Sequence, residues 1–207
     1  MSLEHDQLAG IVNLVAPPQA FEMAERRRAN TRIKRLHHHA FFTKDVEATR
    51  HFYEDILELK MVLALVDEGD LHPNDPTPTP FLHIFFEMGD GSMIAFFEAV
   101  PIHSKRPFPE LTIFDHHFSV KVDDSEAIAY IKDRLEKAGY KTFEMDHGFC
   151  HSLYVEDPNG LHLEFSCNTR EYEDYFARAE TVSHDLVRMY LANRARDRDV
   201  EAQSESA

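Results

Sequence analysis

A pattern that occurs twice constrains this chain more than any other feature. Leu36-His37-His38-His39-Ala40-Phe41-Phe42-Thr43-Lys44-Asp45 and Asp115-His116-His117-Phe118-Ser119-Val120-Lys121-Val122-Asp123-Asp124 share one layout. In each, a histidine stands at the start of a strand-like run, and an aspartate suited to cap a helix follows: Asp45 after His38, Asp124 after His117. An amphipathic helix and further strand-like runs come next in both copies. The chain therefore reads as an internal repeat of a strand–helix–strands unit, with one histidine per repeat directed at a shared site.

The first unit is predicted to run from a strand over Leu36–Thr43 into a helix that buries Val46, Thr49, Phe52/Tyr53 and Ile56. A strand over Leu59–Val66 returns. Glu68–Pro80, with four prolines, is expected to be a long loop and a candidate lid. Phe81–Met88 and Ser92–Ala99 flank Gly89-Asp90-Gly91, a hairpin signal. The second unit repeats the plan, with a helix carrying Ala127/Ile128, Ile131 and Leu135, and Gly139 at its C-terminal end. Strands over Tyr140–Met145 and Phe149–Val155 follow, then the turn Glu156–Gly160 and a last strand over Leu161–Ser166.

The resulting division is an N-terminal arm and helix over 1–33, a first module over 34–101, a linker over 102–113, a second module over 114–168, and C-terminal helix over 169–207. Within the arm, Phe21, Met23 and Ala24 lead into the basic triplet Arg26-Arg27-Arg28, which suits a solvated face, a subunit contact or an anionic ligand. Val182, Leu186, Met189 and Tyr190 form an apolar stripe in the C-terminal helix, which suits a helix laid over the module or into a neighbouring subunit, and a homodimer is expected; the tail from Arg196 to Ala207 is expected to be disordered.

Charge narrows the partners. With 37 acidic against 22 basic residues, the net charge of −15 argues against nucleic acid or an anionic membrane surface. No apolar run has the length of a membrane span and no secretory signal is visible, so a cytoplasmic protein is expected. Cys150 and Cys167 lack CxxC spacing and read as two free thiols. No Gly-rich phosphate loop, GxSxG elbow or paired-cysteine zinc motif is present.

Strand alternation then selects candidate ligands. His38, Ala40 and Phe42 share one face of the first strand; His117, Ser119 and Lys121 share the matching face in the second unit. Glu164 lies seven residues after Asp157 on the last strand. Two imidazoles and a carboxylate with open positions are the facial arrangement suited to non-heme Fe(II) and O₂ chemistry.

The motifs His38…Lys44-Asp45 with His51-Phe52-Tyr53-Glu54-Asp55-Ile56-Leu57, His117–Asp124 and Asp157-Pro158-Asn159-Gly160…Glu164 resemble the vicinal-oxygen-chelate superfamily. That superfamily includes glyoxalase I, extradiol dioxygenases and antibiotic-resistance proteins. The resemblance implies an α+β fold of two βαβββ modules whose curled mixed sheets form a metal-binding cup, with His38, His117 and Glu164 as ligands. The fourth, acidic position of glyoxalase-like members falls at Ala95, and the nearby Glu98 has the opposite strand parity. Tyr154, ten residues before Glu164, matches the active-site tyrosine of type I extradiol ring-cleavage dioxygenases. The acid–base histidines of those enzymes have no counterpart at Met93; near the second such position, Met145, His147 lies two residues off, and His151 has the opposite strand parity to Tyr154. Phe42, Phe97 and Phe118 are candidates for an aromatic wall.

The reading that the residues and this resemblance together imply is an Fe(II)-dependent dioxygenase that cleaves a catecholic aromatic with O₂, with Mn, Zn or Ni as alternative metals. Two others stay open: a Zn- or Ni-dependent glyoxalase-like lyase or isomerase completed by Glu98 or water, and a non-catalytic protein that binds an aromatic drug.

Overall fold

A computed structural model describes residues 19–69, 79–99 and 112–204. The chain divides into two compact units, one of terminal helices and one spanning Ile33–Asn168. The terminal unit contains α1 (Ala20–Asn30), and its long second helix, Tyr172–Ser204, is the last element of the chain. The basic triplet of α1 is committed within this unit: Arg27 meets Glu180 at 2.6 Å and Arg28 meets Glu173 at 3.0 Å. The C-terminal helix continues through Ser204, beyond Arg196 where the sequence suggested disorder. Its last turns contain Ala, Arg, Glu and Gln and no Gly or Pro, so nothing interrupts helix propagation.

The larger unit holds β1 (His38–Phe42), α2 (Val46–Arg50) continuing into a π-helical segment (His51–Ile56), β2 (Lys60–Gly69), β3 (Thr79–Glu87) and β4 (Met93–Glu98). The second module is β5 (Phe118–Lys121), α3 (Ser125–Lys137), β6 (Thr142–Asp146), β7 (Cys150–Glu156) and β8 (His162–Asn168); the terminal helix Tyr172–Ser204 is α4. The fold is α+β with two modules. Each forms a four-stranded mixed sheet, in the orders β1-β4-β3-β2 and β5-β8-β7-β6. In each, the first and last strands run parallel, and the other neighbours are antiparallel.

The punctuation read from sequence does what its chemistry predicts. Asp45 accepts from the Ala48 amide and Asp124 from the Ala127 amide, both at 2.9 Å, so each helix begins on a carboxylate cap. Gly139, at φ 90°, ends α3 with paired 5→2 and 6→1 bonds, Gly139 N–H to Glu136 O and Tyr140 N–H to Leu135 O. Two details differ from expectation. The first helix loosens after Arg50 into the π-helical segment, where Leu57 N–H reaches Phe52 O at 3.0 Å and Phe52, Tyr53 and Ile56 are all buried. Strands β2 and β3 also run further than the proline content suggested, pairing as far as Gly69 with Thr79. The lid expected between them lies, over residues 70–78, outside the described residues, as do the N-terminal arm to residue 18 and the linker over 100–111.

One apolar core joins the two modules. Phe52, Tyr53, Phe86 and Phe96 from the first belong to the same cluster as Ile128, Leu135, Leu153 and Phe165 from the second. A polar lock sits beside it. Buried Asp157 accepts from the Tyr53 hydroxyl at 3.0 Å and from the amides of Asn159 and Leu161 at 2.8 Å. The Asn159 side-chain amide donates to Thr49 Oγ1 at 3.1 Å. The Asp157-Pro158-Asn159-Gly160 turn is thus a structural joint between modules. Burial pushes the Asp157 carboxyl up, against the pull of the hydrogen bonds it accepts.

Candidate metal centre

Core-facing residues fix which face of each sheet is left for chemistry. In β8, Leu163, Phe165 and Cys167 belong to the core cluster, so Glu164 and Ser166 project to the other side. The cross-strand register puts Ser119 opposite Glu164, Glu164 opposite Tyr154, and Ser166 opposite Ser152. These residues form one polar surface.

Glu164 lies at its centre and is 7% exposed. Its Oε1 accepts from Ser152 Oγ at 2.6 Å and from Ser166 Oγ at 2.8 Å. Its Oε2 is 3.4 Å from His117 Nε2. Burial acts to raise the Glu164 pKa, and the hydroxyls of Ser152, Ser166, Tyr154 and Ser119 more than offset it, so the carboxyl stays below its usual range. His117 lies one residue before β5 rather than within it, after a turn in which Asp115 accepts from the Thr112 amide and hydroxyl. The turn brings the Ile113 carbonyl to 2.9 Å from His117 Nδ1. With Nδ1–H donated there, Nε2 carries the lone pair toward Glu164.

Beside this pair, the Tyr154 hydroxyl is 2.9 Å from His147 Nε2. Burial, followed by its hydrogen bond with Glu164 and then the Glu164 charge, pushes Tyr154 up to about 12, so it is a neutral phenol at ordinary pH. Phe143 stacks on its ring at 4.6 Å, almost parallel.

The remaining sequence candidates are placed less uniformly. His38 is on the outward face of β1, as expected, and its neighbours are His37, with the two Nδ1 atoms 2.8 Å apart, and the rings of His83 and Phe85. Among the described residues, no three His, Cys, Asp or Glu side chains converge as a metal-holding group, so His38 is not brought to the His117–Glu164 pair. Phe42 and Phe97 do meet, at 6.2 Å, but Phe118 lies on the opposite face against His39 and Phe41. As the immediate neighbour of His117 it has the wrong strand parity for the aromatic wall. His151 also faces away from Tyr154, tied to Glu144 at 2.6 Å. Glu98 accepts from the Val46 amide at 3.0 Å and serves the start of α2. Cys150 and Cys167 are both free.

The sequence reading missed Ser152, Ser166 and Phe143. A signal for the serines existed: Ser152 and Tyr154 in β7, and Glu164 and Ser166 in β8, are polar residues alternating with apolar ones. What the reading lacked was the register that sets these strands against each other.

The His117–Glu164 pair fits two neighbouring positions on a divalent cation, and among the described residues no third such side chain joins it. An imidazole nitrogen and a carboxylate oxygen 3.4 Å apart are near the spacing of two neighbouring ligands on one ion, which is about 3 Å when each bond is about 2.1 Å. Both are oriented by hydrogen bonds through their other atoms, as metal ligands generally are.

The sequence profile of the Glyoxalase/Bleomycin resistance protein/Dioxygenase superfamily matches residues 35–165, more than half of the chain. The chain belongs to this superfamily. Two solved structures share this fold with TM-scores above 0.5. A glyoxylase/bleomycin resistance protein/dioxygenase domain from Frankia sp. EAN1pec superposes with a TM-score of 0.53 at 18% identity, covering 66% of this chain and 99% of that one. The fosfomycin resistance protein FosX from Listeria monocytogenes gives 0.51 at 21% identity, covering 68% and 98%. A lactoylglutathione lyase from Agrobacterium tumefaciens, 24% identical, gives 0.45 over 65% and 94%. No curated protein matches the chain. No helix among the described residues is long and apolar enough to cross a membrane.

Proposed function

We propose that the protein is a divalent-metal-dependent, extradiol-type ring-cleavage dioxygenase that acts on a catecholic aromatic with O₂. The observation that carries this reading is the placement of the neutral Tyr154 hydroxyl, paired with His147, next to the ionised Glu164 and His117. His117 and Glu164 would hold the metal, Fe(II) in this reading, with His38 the candidate third ligand once it leaves its contact with His37. When bound, the metal supplies positive charge for two adjacent substrate oxygens and the redox chemistry that O₂ requires.

The chain's own residues do the rest. Tyr154 donates its one proton in a hydrogen bond to a phenolate oxygen of the substrate, and a His147 Nε2–H then donates to the Tyr154 oxygen 2.9 Å away. Phe42 and Phe97 offer apolar surface on the first module. Glu98 is engaged at the N-terminus of α2, which weighs against the four-ligand lyase or isomerase site. Two free thiols suit a reducing, cytoplasmic setting.

The test is O₂ consumption by iron-loaded protein with catechol, coupled to formation of a ring-opened product that contains both oxygen atoms. Tyr154→Phe should lower kcat about 100-fold and leave metal content unchanged. No O₂ uptake by the iron-loaded protein with any of a panel of catechols would reject the dioxygenase reading, and glutathione-dependent turnover of methylglyoxal would replace it with the lyase reading.

A further inference from the structure

Ser152 and Ser166 gather on one oxygen of Glu164 and leave the other to face His117. Ser152 and Ser166 each have a single hydroxyl proton, and both hydroxyls donate to Glu164 Oε1, at 2.6 and 2.8 Å. The two serine oxygens are also 2.9 Å from each other, Ser119 is 3.2 Å from Ser166, and Cys150 Sγ is 3.7 Å from Ser152. Glu164 Oε1 is thus held in a closed hydroxyl cluster, while Oε2 has no serine on it and faces His117 Nε2. Ser152 is fully buried, so no solvent competes for its bond.

We propose that Ser152 and Ser166 are positioning residues that make Glu164 a one-oxygen metal ligand. They hold Oε1 back and turn Oε2 toward His117 Nε2, where the carboxylate would otherwise be free to rotate and present both oxygens to one ion. This keeps a coordination position open beside the pair. The inference rests on the proposed metal site, and concerns its geometry rather than the reaction. The first module supports it by contrast. The positions matched to Ser119, Glu164, Ser166 and Ser152 through the strand register are Ala40, Ala95, Phe97 and His83, and no carboxylate there needs holding.

The experiment uses full-length protein stripped of metal and titrated with Mn(II) by calorimetry and with Co(II) by visible absorption. Ser152→Ala and Ser166→Ala should each weaken Mn(II) binding about tenfold, and the double variant up to about 100-fold, the range found when partners that orient a ligand are removed. The Co(II) bands should shift as Glu164 becomes free to bind through both oxygens. Ser166→Thr, which keeps the hydroxyl, should restore both signals. Circular dichroism confirms that the variants are folded; if Ser152→Ala does not fold, Ser166→Ala and its Thr counterpart decide alone. A folded Ser166→Ala variant with wild-type Mn(II) affinity and an unaltered Co(II) spectrum would overturn the inference and leave the metal site standing. Wild-type protein that binds neither ion would overturn the metal site and the inference together.

Discussion

The two modules share a strand order, a helix cap and a leading histidine, yet their outward faces have opposite chemistry. The second presents His117, Ser119, Glu164, Ser166, Ser152 and Tyr154. At the matched places the first presents His38, Ala40, Ala95, Phe97, His83 and Phe85. There the rings pack on one another, with His83 stacked on Phe97 at 3.5 Å and 4.1 Å from Phe85. One half of the repeat has the hydroxyls that keep a carboxylate ionised in a buried place. The other has filled the same positions with aromatic and methyl groups. The scaffold is thus indifferent to what its outward face carries, and the chemistry depends on a few side chains in register.

The comparison breaks most sharply at Ala95. It is fully buried, and Ala95→Glu would restore the acidic residue without any hydroxyl to receive it. A carboxylate there would have His38 on the same face but no hydroxyl, and a buried charge so short of partners costs about 4 kcal/mol, so chemical denaturation should show a large loss of stability and calorimetry no second metal site. A stable Ala95→Glu protein that binds two ions would mean that the serine surround is not what separates the modules.

Asp157→Ala tests the joint between them. It removes the acceptor for Tyr53, Asn159 and Leu161, and urea denaturation should show a loss of about 3 kcal/mol. An unchanged midpoint would show that the apolar core alone aligns the modules.

His83 gives a smaller, pH-dependent effect. Its Nε2 is buried without a hydrogen-bond partner among the described residues, and burial, then the charge of His38, holds its pKa down to about 4 from 6.5. Between those two values the unfolded chain binds more protons than the folded one at this residue. Stability should therefore be full above about pH 6.5 and decline as pH falls toward 4. His83→Phe should flatten this slope and add about 1 kcal/mol at neutral pH. A variant with the wild-type pH profile would assign the acid sensitivity to other groups.

The smallest effect is expected at Glu98. Because it accepts from the Val46 amide, Glu98→Ala should cost about 1 kcal/mol of stability and leave Mn(II) affinity unchanged. A loss of metal affinity would return Glu98 to the site.

Much of this was legible in the sequence because it depends on local chemistry. Asp45 and Asp124 fix the helix starts, Gly139 the end of α3, and Gly89-Asp90-Gly91 the hairpin; the alternation of polar and apolar residues puts Glu164 and His117 on outward faces. Information that is not local was harder to read. Phe118 is next to His117 in the chain, yet alternation turns it away from the site, and His151 has the parity opposite to Tyr154. Ser119, Ser152 and Ser166 join Glu164 only through the register of β5, β7 and β8, since none of the three is distinctive alone. The π-helical segment at His51–Ile56 answers to burial of Phe52, Tyr53 and Ile56 against the second module, which no window within the helix could report. For the same reason the contact of His38 with His37, and its separation from His117 and Glu164, followed from the packing and not from the repeat.

The central claim, that the second module's His117–Glu164 pair is a metal site, is tested most directly by anaerobic titration of the metal-free protein with Fe(II). The wild type should bind one ion per chain, and Glu164→Gln and His117→Ala should each weaken binding at least about 100-fold while remaining folded. Unchanged affinity in both variants, or no binding by the wild type, would contradict the account.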